Sequence, residues 1–324
     1  MNIVIAGAGS IGCYCGALLA DAGHQVTLLG RARILDPIRE KGLTVTNFSG
    51  LHRHIVPDGL TLSEDPACLS RAGIVIVSVK TGATADLAAD IARFTPTSAP
   101  IVSWQNGMEN ARILRAALPG HDVRAGMVPF NVVPTEPACF HRATSGDIII
   151  ESGSGALGQT LGSADLPVSE SDDIHAVQWG KLVINLNNAL NALSGLTLRE
   201  QLMNRAWRRL MADQMGEALR VLKAAGHPVA STTPLPAWMT PYVLRLPTPL
   251  FTRIASRMLT IDPSARTSMA YDLAAGRPTE IDSLQGEIVR IANEAGTSAP
   301  LCTKVQALIE RAPAEPLTPD RVRA

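Results

Sequence analysis

Net charge is the first thing this 324-residue chain lacks: 29 Lys and Arg stand against 29 Asp and Glu. A balanced chain has no electrostatic footprint for nucleic acid. With 46% hydrophobic and 18% charged residues it is not disordered either, so the expected partners are small molecules. Cysteine is scarce. Of the five, only Cys13 and Cys15 are close, at i and i+2 of one predicted helix, where they point apart, so a disulfide framework is excluded. No apolar run approaches the length of a membrane span, and the first predicted strand begins at the second residue, leaving no room for a signal peptide. The expectation is a cytoplasmic protein without a membrane or nucleic-acid partner. No His-Glu-x-x-His occurs, and His52 and His54 share at best a strand face, so no metal is expected. Internal repeats and low-complexity segments are absent too.

What is present begins at once. The apolar run Asn2–Ala6 leads straight into Gly7-Ala8-Gly9-Ser10-Ile11-Gly12, followed by a helical stretch from Cys13 to Ala22, a stop at Gly23 and a second strand, His24 to Leu29. Strand, Gly-x-Gly-x-x-Gly and helix in that order form a dinucleotide site. Gly7 permits the tight turn, Gly9 lets backbone N–H groups approach a pyrophosphate, and Gly12 lets helix and strand pack closely.

The length exceeds one typical core and predicts two domains. The first half alternates strands (Ile74–Val79, Ile101–Trp104) with helices (Ala83–Phe94, Glu109–Leu118), the pattern of a doubly wound parallel sheet. Leu43–Phe48 and Arg53–Val56 read as extra short strands or a hairpin, and Val123–Val133 and Asp147–Gly153 as further strands punctuated by Pro129, Pro134 and Pro137. From Ile174 onward the reading is helical: Ile174–Ser194, Arg199–Ala225, Tyr242–Met258, Ala265–Ala275, Glu280–Ala295 and Leu301–Arg311, with a frayed tail after Pro313. The expected fold is an α/β Rossmann-type doubly wound parallel sheet, residues 1–171, plus a second all-helical domain, residues 172–324.

In such sheets an acidic residue at the end of the second strand takes the ribose 2′-hydroxyl of NAD, whereas a basic one suits the phosphate of NADP. Here Leu29-Gly30-Arg31-Ala32-Arg33 carries no carboxylate, and Arg31 offers a planar fork of donors. NADPH is the expected cofactor. The alternative is that Arg31 and Arg33 form an ordinary solvated turn.

At 100° per residue, Lys181, Asn185 and Asn188 fall in one stripe of a helix otherwise covered by Leu182, Val183, Ile184, Leu186, Leu190 and Leu193. Such a stripe either lines a polar pocket or faces water. Further on, Thr279 and Asp282 resemble a capping box, which places Glu280 in a first helical turn, where a carboxylate is often only a complement to the helix dipole.

Five motifs in order resemble the ketopantoate reductase family across about the whole chain: Gly7-Ala8-Gly9-Ser10-Ile11-Gly12, Val79-Lys80, Gln105-Asn106-Gly107-Met108, Lys181-Leu182-Val183-Ile184-Asn185, and Arg277-Pro278-Thr279-Glu280-Ile281-Asp282. The resemblance implies an NADPH-dependent reductase of 2-oxo acids, 2-dehydropantoate to pantoate in pantothenate biosynthesis, with its active site between the two domains. It implies Lys181 as general acid, Glu280 as its acidic partner, and Asn185 and Ser268 as substrate-binding groups. Lys80 and Asn106, at the ends of successive strands, are implied to face cofactor and substrate; a homodimer stays open. One position departs: the family commonly has an asparagine eight residues after the helix lysine, where this chain has Ala189. That leaves open a reductase of the same build for a different 2-oxo or 3-oxo acid. A non-catalytic NADP-sensing protein is the remaining alternative, against which the presence of both Lys181 and Glu280 argues.

Overall fold

Strand β1 (Asn2–Ala6) turns Ile3 and Ile5 to one face and Val4 and Ala6 to the other, and all four are buried. A strand apolar on both faces needs cover on both, which a parallel sheet with crossover helices provides. The computed structural model describes all residues except 232–234 and 260–261, and leaves out the side chains of 257 and 258. The chain divides into two compact units, Met1–Ile174 and His175–Ala324.

In chain order the first unit runs β1, α1 (Ser10–Asp21), β2 (Gln25–Leu29), α2 (Ala32–Lys41), β3 (Leu43–Asn47), β4 (His52–Ile55), β5 (Thr61–Ser63), β6 (Ile74–Val77), α3 (Thr84–Phe94), β7 (Ile101–Ser103), α4 (Glu109–Ala117), β8 (Val123–Met127), β9 (Val132–Glu136), β10 (Cys139–Arg142), β11 (Ile148–Glu151), α5 (Leu157–Leu161) and β12 (Val168–Ser171). The main sheet has the order β12-β11-β8-β7-β6-β1-β2-β5. Every neighbouring pair in it is parallel except β8 with β11. Ile74 and Ile76 of β6 join the core on the α1 side, and Val75 and Val77 the core on the side of α3 and α4.

A second sheet, β4-β3-β10-β9, was only half visible in sequence, as the antiparallel pair β3–β4. Its Val45 and Phe140 share a core with Ile3, Ile5 and the α1 residues Tyr14 and Leu18, so α1 is covered on both sides. This explains a helix that is apolar almost all round. The region Val123–Val133 divides at its proline: β8 ends at Met127, and β9 begins at Val132 in the other sheet, the chain changing sheets around Pro129.

The second unit is helical: α6 (Ile174–Asn185), α7 (Asn187–Ser194), α8 (Leu198–Met203), α9 (Arg205–Ala224), α10 (Thr240–Arg245), α11 (Thr248–Ile254), α12 (Ser268–Ala274), α13 (Glu287–Glu294), α14 (Pro300–Glu310) and α15 (Pro319–Arg323). Helix Ile174–Ser194 is broken at Leu186. The helix read over Tyr242–Met258 is broken before Pro247, with Leu246 extended at ψ 151. Buried Arg208 takes up carbonyls at that break, donating to Leu244 (3.1 Å) and Leu246 (2.9 Å), and also donates to the Leu202 carbonyl of α8 (2.7 Å). The tail is docked, not frayed. Val322 is fully buried, Leu317 N–H donates to the Leu193 carbonyl (2.8 Å), and Arg323 pairs with Asp213 (2.7 Å).

Candidate active site

The glycine turn joins β1 to α1, and its three glycines stand in different surroundings. Gly7 has φ +121, and a Cβ there would meet Val79 N at 2.6 Å; a Cβ on Gly12 would be driven into the Gly7 carbonyl oxygen and stand 2.7 Å from Ser78 Oγ. Both are demanded by the protein's own packing. Around Gly9 a Cβ would meet nothing within 4 Å. Gly9 also starts α1, with no side chain capping it and no acidic residue in the first turn. An uncapped helix start with open space before it fits a pyrophosphate. The turn is tied to β2 by Gly7 and Ala8 N–H groups donating to the Leu29 carbonyl, at 3.0 and 2.9 Å. Ala8 and Gly12 are buried, while Ser10 and Ile11 are half-buried.

Lys80 and Asn106 follow β6 and β7, at the same carboxyl edge as the glycine turn and Arg31, and both are exposed. Their loops are joined by a buried polar network. Gln105 Nε2 donates to the Val79 carbonyl (2.9 Å) and to Thr84 Oγ1 (2.8 Å), and Thr84 Oγ1 donates to Asn110 Oδ1 (2.8 Å). Asn110 Nδ2 donates to the Asn106 carbonyl (2.6 Å) and to Thr81 Oγ1 (3.2 Å). The sequence reading had Gln105 only as part of a turn; its hydrogen bonds hold the two strand ends at a fixed spacing.

Arg31 is exposed immediately before α2 and Arg33 lies in its first turn. The expectation that no carboxylate stands beside them is overturned. Parallel pairing of β5 with β2 brings Ser63 opposite Leu29, and the next residue, Glu64, accepts the Ala32 N–H at 3.2 Å. The acid missing from the end of β2 comes instead from the neighbouring strand, which no reading of adjacent residues could reveal.

In the second unit, the partly exposed positions along α6 and α7 from Lys181 to Asn188 are Lys181, Ile184, Asn185 and Asn188, at i, i+3, i+4 and i+7. Burial pushes the Lys181 ammonium from 10.5 down to about 8, and the negative charge of Glu280 opposes that fall. At the interruption Leu186 keeps helical backbone angles, φ −54 and ψ −26. Leu186 N–H still reaches the Leu182 carbonyl (3.0 Å), but the Leu186 carbonyl accepts Nε2 of fully buried Gln285 (2.8 Å). Gln285 lies in a π-helical turn, Asp282–Gly286, just after Glu280. One hydrogen bond thus ties the segment carrying Lys181 to the segment carrying Glu280.

The expected Thr279/Asp282 capping box is not formed. The helical segment starts at Ile281, which has no side-chain cap, Glu280 precedes it, and Asp282 accepts instead from Gln306 Nε2 at 2.9 Å. With Ile281 as the cap, Asp282 is the first residue of the helical segment and not the third, so it is not placed to reach back to Thr279. We expect Gln285→Leu, which strips the Leu186 carbonyl of its donor, to lower stability by about 1–3 kcal/mol in urea melts and to slow turnover by disturbing the spacing of Lys181 and Glu280.

Ser268 is the exposed first residue of α12, placed by its neighbour Thr267. Thr267 N–H donates to Oδ1 of buried Asn191 (3.0 Å), and Thr267 Oγ1 donates to the Asn188 carbonyl (3.1 Å). Asn191 in turn donates to the Leu196 carbonyl (3.0 Å) and to Gln201 Oε1 (3.2 Å). These amides were legible only as helix polarity. Ala189, read as the position of a missing amide in the pocket, is fully buried. Asn188 shares the partly exposed face of Lys181 and Asn185 instead.

Among the described residues no group of three or more His, Cys, Asp or Glu side chains is placed to hold a metal, and no helix is long and apolar enough to cross a membrane.

Residues 3–155 match the family model "Ketopantoate reductase PanE/ApbA" and residues 173–312 its C-terminal counterpart. The 2-dehydropantoate 2-reductase of Halobacterium salinarum is 27% identical over 321 residues, covering 96% of this chain and 99% of that protein. The crystal structure of a PanE/ApbA family ketopantoate reductase from Ralstonia eutropha JMP134 superimposes with a TM-score of 0.80 at 30% identity, covering 100% of both chains. D-mandelate dehydrogenase with NADH and anilino(oxo)acetate shares the fold, with a TM-score of 0.76 at 20% identity over 100% of both chains. Two family models spanning most of the chain, and a solved relative matching all of it, place this protein in the ketopantoate reductase family, as an oxidoreductase acting on a CH–OH group with a nicotinamide cofactor.

Proposed function

We propose that the protein reduces the 2-carbonyl of a short branched 2-oxo acid, 2-dehydropantoate, to the hydroxy acid pantoate, with NADPH as reductant. The observation that carries this reading is Lys181, whose pKa burial lowers to about 8 against the opposing charge of Glu280. A general acid works best with a pKa near the operating pH. The nicotinamide ring supplies the hydride. Lys181 stabilises the negative charge growing on the carbonyl oxygen and donates its Nζ proton there, while Glu280 keeps the ammonium charged and in place. Asn185, Asn188, Asn106 and Ser268 offer donors to the substrate carboxylate and hydroxyl groups.

On the cofactor side the glycine turn takes the pyrophosphate, Lys80 and Asn106 border the strand ends, and Arg31 pairs with the 2′-phosphate. The choice of 2-dehydropantoate is supported by the relatives named for it and by Asn188 on the Lys181 face. The reading also sets the reaction in the cytoplasm, with a homodimer as the assembly to test by light scattering.

NADPH oxidation by the purified protein, with 2-dehydropantoate against a panel of 2-oxo and 3-oxo acids, tests it. The highest kcat/KM is expected for 2-dehydropantoate. A higher value for another acid changes the substrate and keeps the chemistry, whereas tight NADPH binding without turnover of any acid favours a sensor. The pH profile is a second check. Because Lys181 must carry its proton, kcat falls as pH rises through about 8. Glu280→Gln removes the charge that supports the ammonium, so this limb moves to lower pH and turnover slows.

A further inference from the structure

The start of α2 brings together two opposite charges, of which Glu64 caps the helix. Arg31 is exposed just before the helix, and Glu64, arriving from β5, accepts the N–H of Ala32, the first helical residue, at 3.2 Å. Gly30 N–H donates to the Ser63 carbonyl (3.0 Å), which fixes the Glu64 backbone beside the end of β2. The other Glu64 oxygen, Oε1, lies 3.7 Å from Arg39 Nη2 in the last turn of α2. A side-chain oxygen therefore already takes a helix-start N–H suited to an anion. In sheets of this plan the adenosine ribose of a dinucleotide comes to the end of β2, and a carboxylate there accepts the 2′-hydroxyl while repelling a 2′-phosphate.

We propose that Glu64 is a cofactor-discriminating residue that works against Arg31: it accepts the ribose 2′-hydroxyl of NADH and repels the 2′-phosphate of NADPH, so that the chain's preference for NADPH is held down and NADH is used as well. This rests on the reading of Arg31 as the partner of the 2′-phosphate. The carboxylate is exposed, so the repulsion is screened and its size is modest. It adds to the competition for the Ala32 N–H, which a phosphate oxygen gains only by displacing Glu64.

The test measures binding rather than turnover. Dissociation constants for NADPH, NADH, 2′-phospho-AMP and AMP are measured by calorimetry for the unaltered protein, Glu64→Gln and Arg31→Ala, with thermal melts to verify folding. Glutamine keeps an oxygen for the Ala32 N–H and removes the charge. Glu64→Gln is expected to tighten NADPH and 2′-phospho-AMP by roughly three- to tenfold while NADH and AMP hold or weaken, with a smaller gain at high salt. An NADPH-to-NADH affinity ratio within about twofold of the unaltered protein overturns the proposal, as does equal tightening of both cofactors. If Glu64→Gln does not fold, Glu64→Ser, which keeps a hydroxyl acceptor, is judged by the same ratio. Failure of the underlying reading looks different: Arg31→Ala then leaves 2′-phospho-AMP binding unchanged, while the Glu64 variant still changes the ratio of 2′-phospho-AMP to AMP.

Discussion

Lys181→Met is expected to lower kcat by about 10²–10⁴ while leaving NADPH affinity nearly unchanged, since positioned acid catalysis is typically worth that much. The same variant is expected to be at least as stable as the unaltered protein. Burial holds the folded-state pKa of Lys181 near 8, below its ordinary 10.5, so between those values the folded chain binds fewer protons than the unfolded one. Stability therefore rises as pH climbs from about 8 towards 10.5, and the cost of burying the charged form is present in full below 8. Of order 1–3 kcal/mol is involved, since each pKa unit corresponds to about 1.4 kcal/mol and the residue is partly solvated. Urea melts across that pH range should show the upward slope in the unaltered protein and less of it in Lys181→Met. A folded variant with normal kcat removes Lys181 from the chemistry. A variant that unfolds at neutral pH makes the lysine a structural ion-pair partner. The double variant with Glu280→Gln should be less than additive in kcat, because the two residues act as a unit.

The glycine turn yields the second large effect, and it separates binding from folding. Gly9→Ala adds a Cβ into space that holds no protein atom within 4 Å, so its melting temperature should match the unaltered protein. Its affinity for NADPH and NADH should fall together, because the methyl group stands where backbone N–H groups must approach the pyrophosphate. Charge-assisted hydrogen bonds are worth about 1.5–3 kcal/mol each, so losing one or two costs tenfold to a thousandfold or more in Kd. Gly12→Ala is the converse. Its Cβ meets the Gly7 carbonyl oxygen and Ser78 Oγ, so β1 and α1 must part, at about 1–3 kcal/mol or more of stability. Equal melting temperatures for the two variants would show that packing does not distinguish the glycines.

Much of the site could be read in the chain because its signals are local. Gly7, Gly9 and Gly12 announce themselves by spacing between a strand and a helix, and Lys181, Asn185 and Asn188 by a polar stripe on an apolar helix. The strands of the main sheet announce themselves by burial on both faces, as in Ile3–Ala6 and Ile74–Val77. Each of these depends on residues within one or two turns of each other, where periodicity is a direct record of geometry.

What remained hidden depends on partners distant in the chain. Strand order put β5 beside β2 and so carried Glu64 to the start of α2, a contact across 32 positions that supplies the carboxylate absent from Leu29–Arg33 itself. Gln285 donates to the Leu186 carbonyl across 99 positions, at the one residue where the helix that periodicity predicts as continuous is interrupted. Asn188 keeps the partly exposed face that the helical wheel assigns it beside Lys181, whereas the packing that buries Ala189 is visible only in the folded unit. The tail likewise looks free because its own residues are polar, yet Val322 and Leu317 N–H find partners elsewhere in the helical unit. Sequence by itself determined most of the strands and helices and which residues are candidates for the chemistry, because local sterics and alternating hydrophobicity decide the first and side-chain type the second. Only the tertiary structure decided which charge stands beside which, because a long-range contact forms when burial and hydrogen bonding outweigh the entropy of closing the chain between its ends.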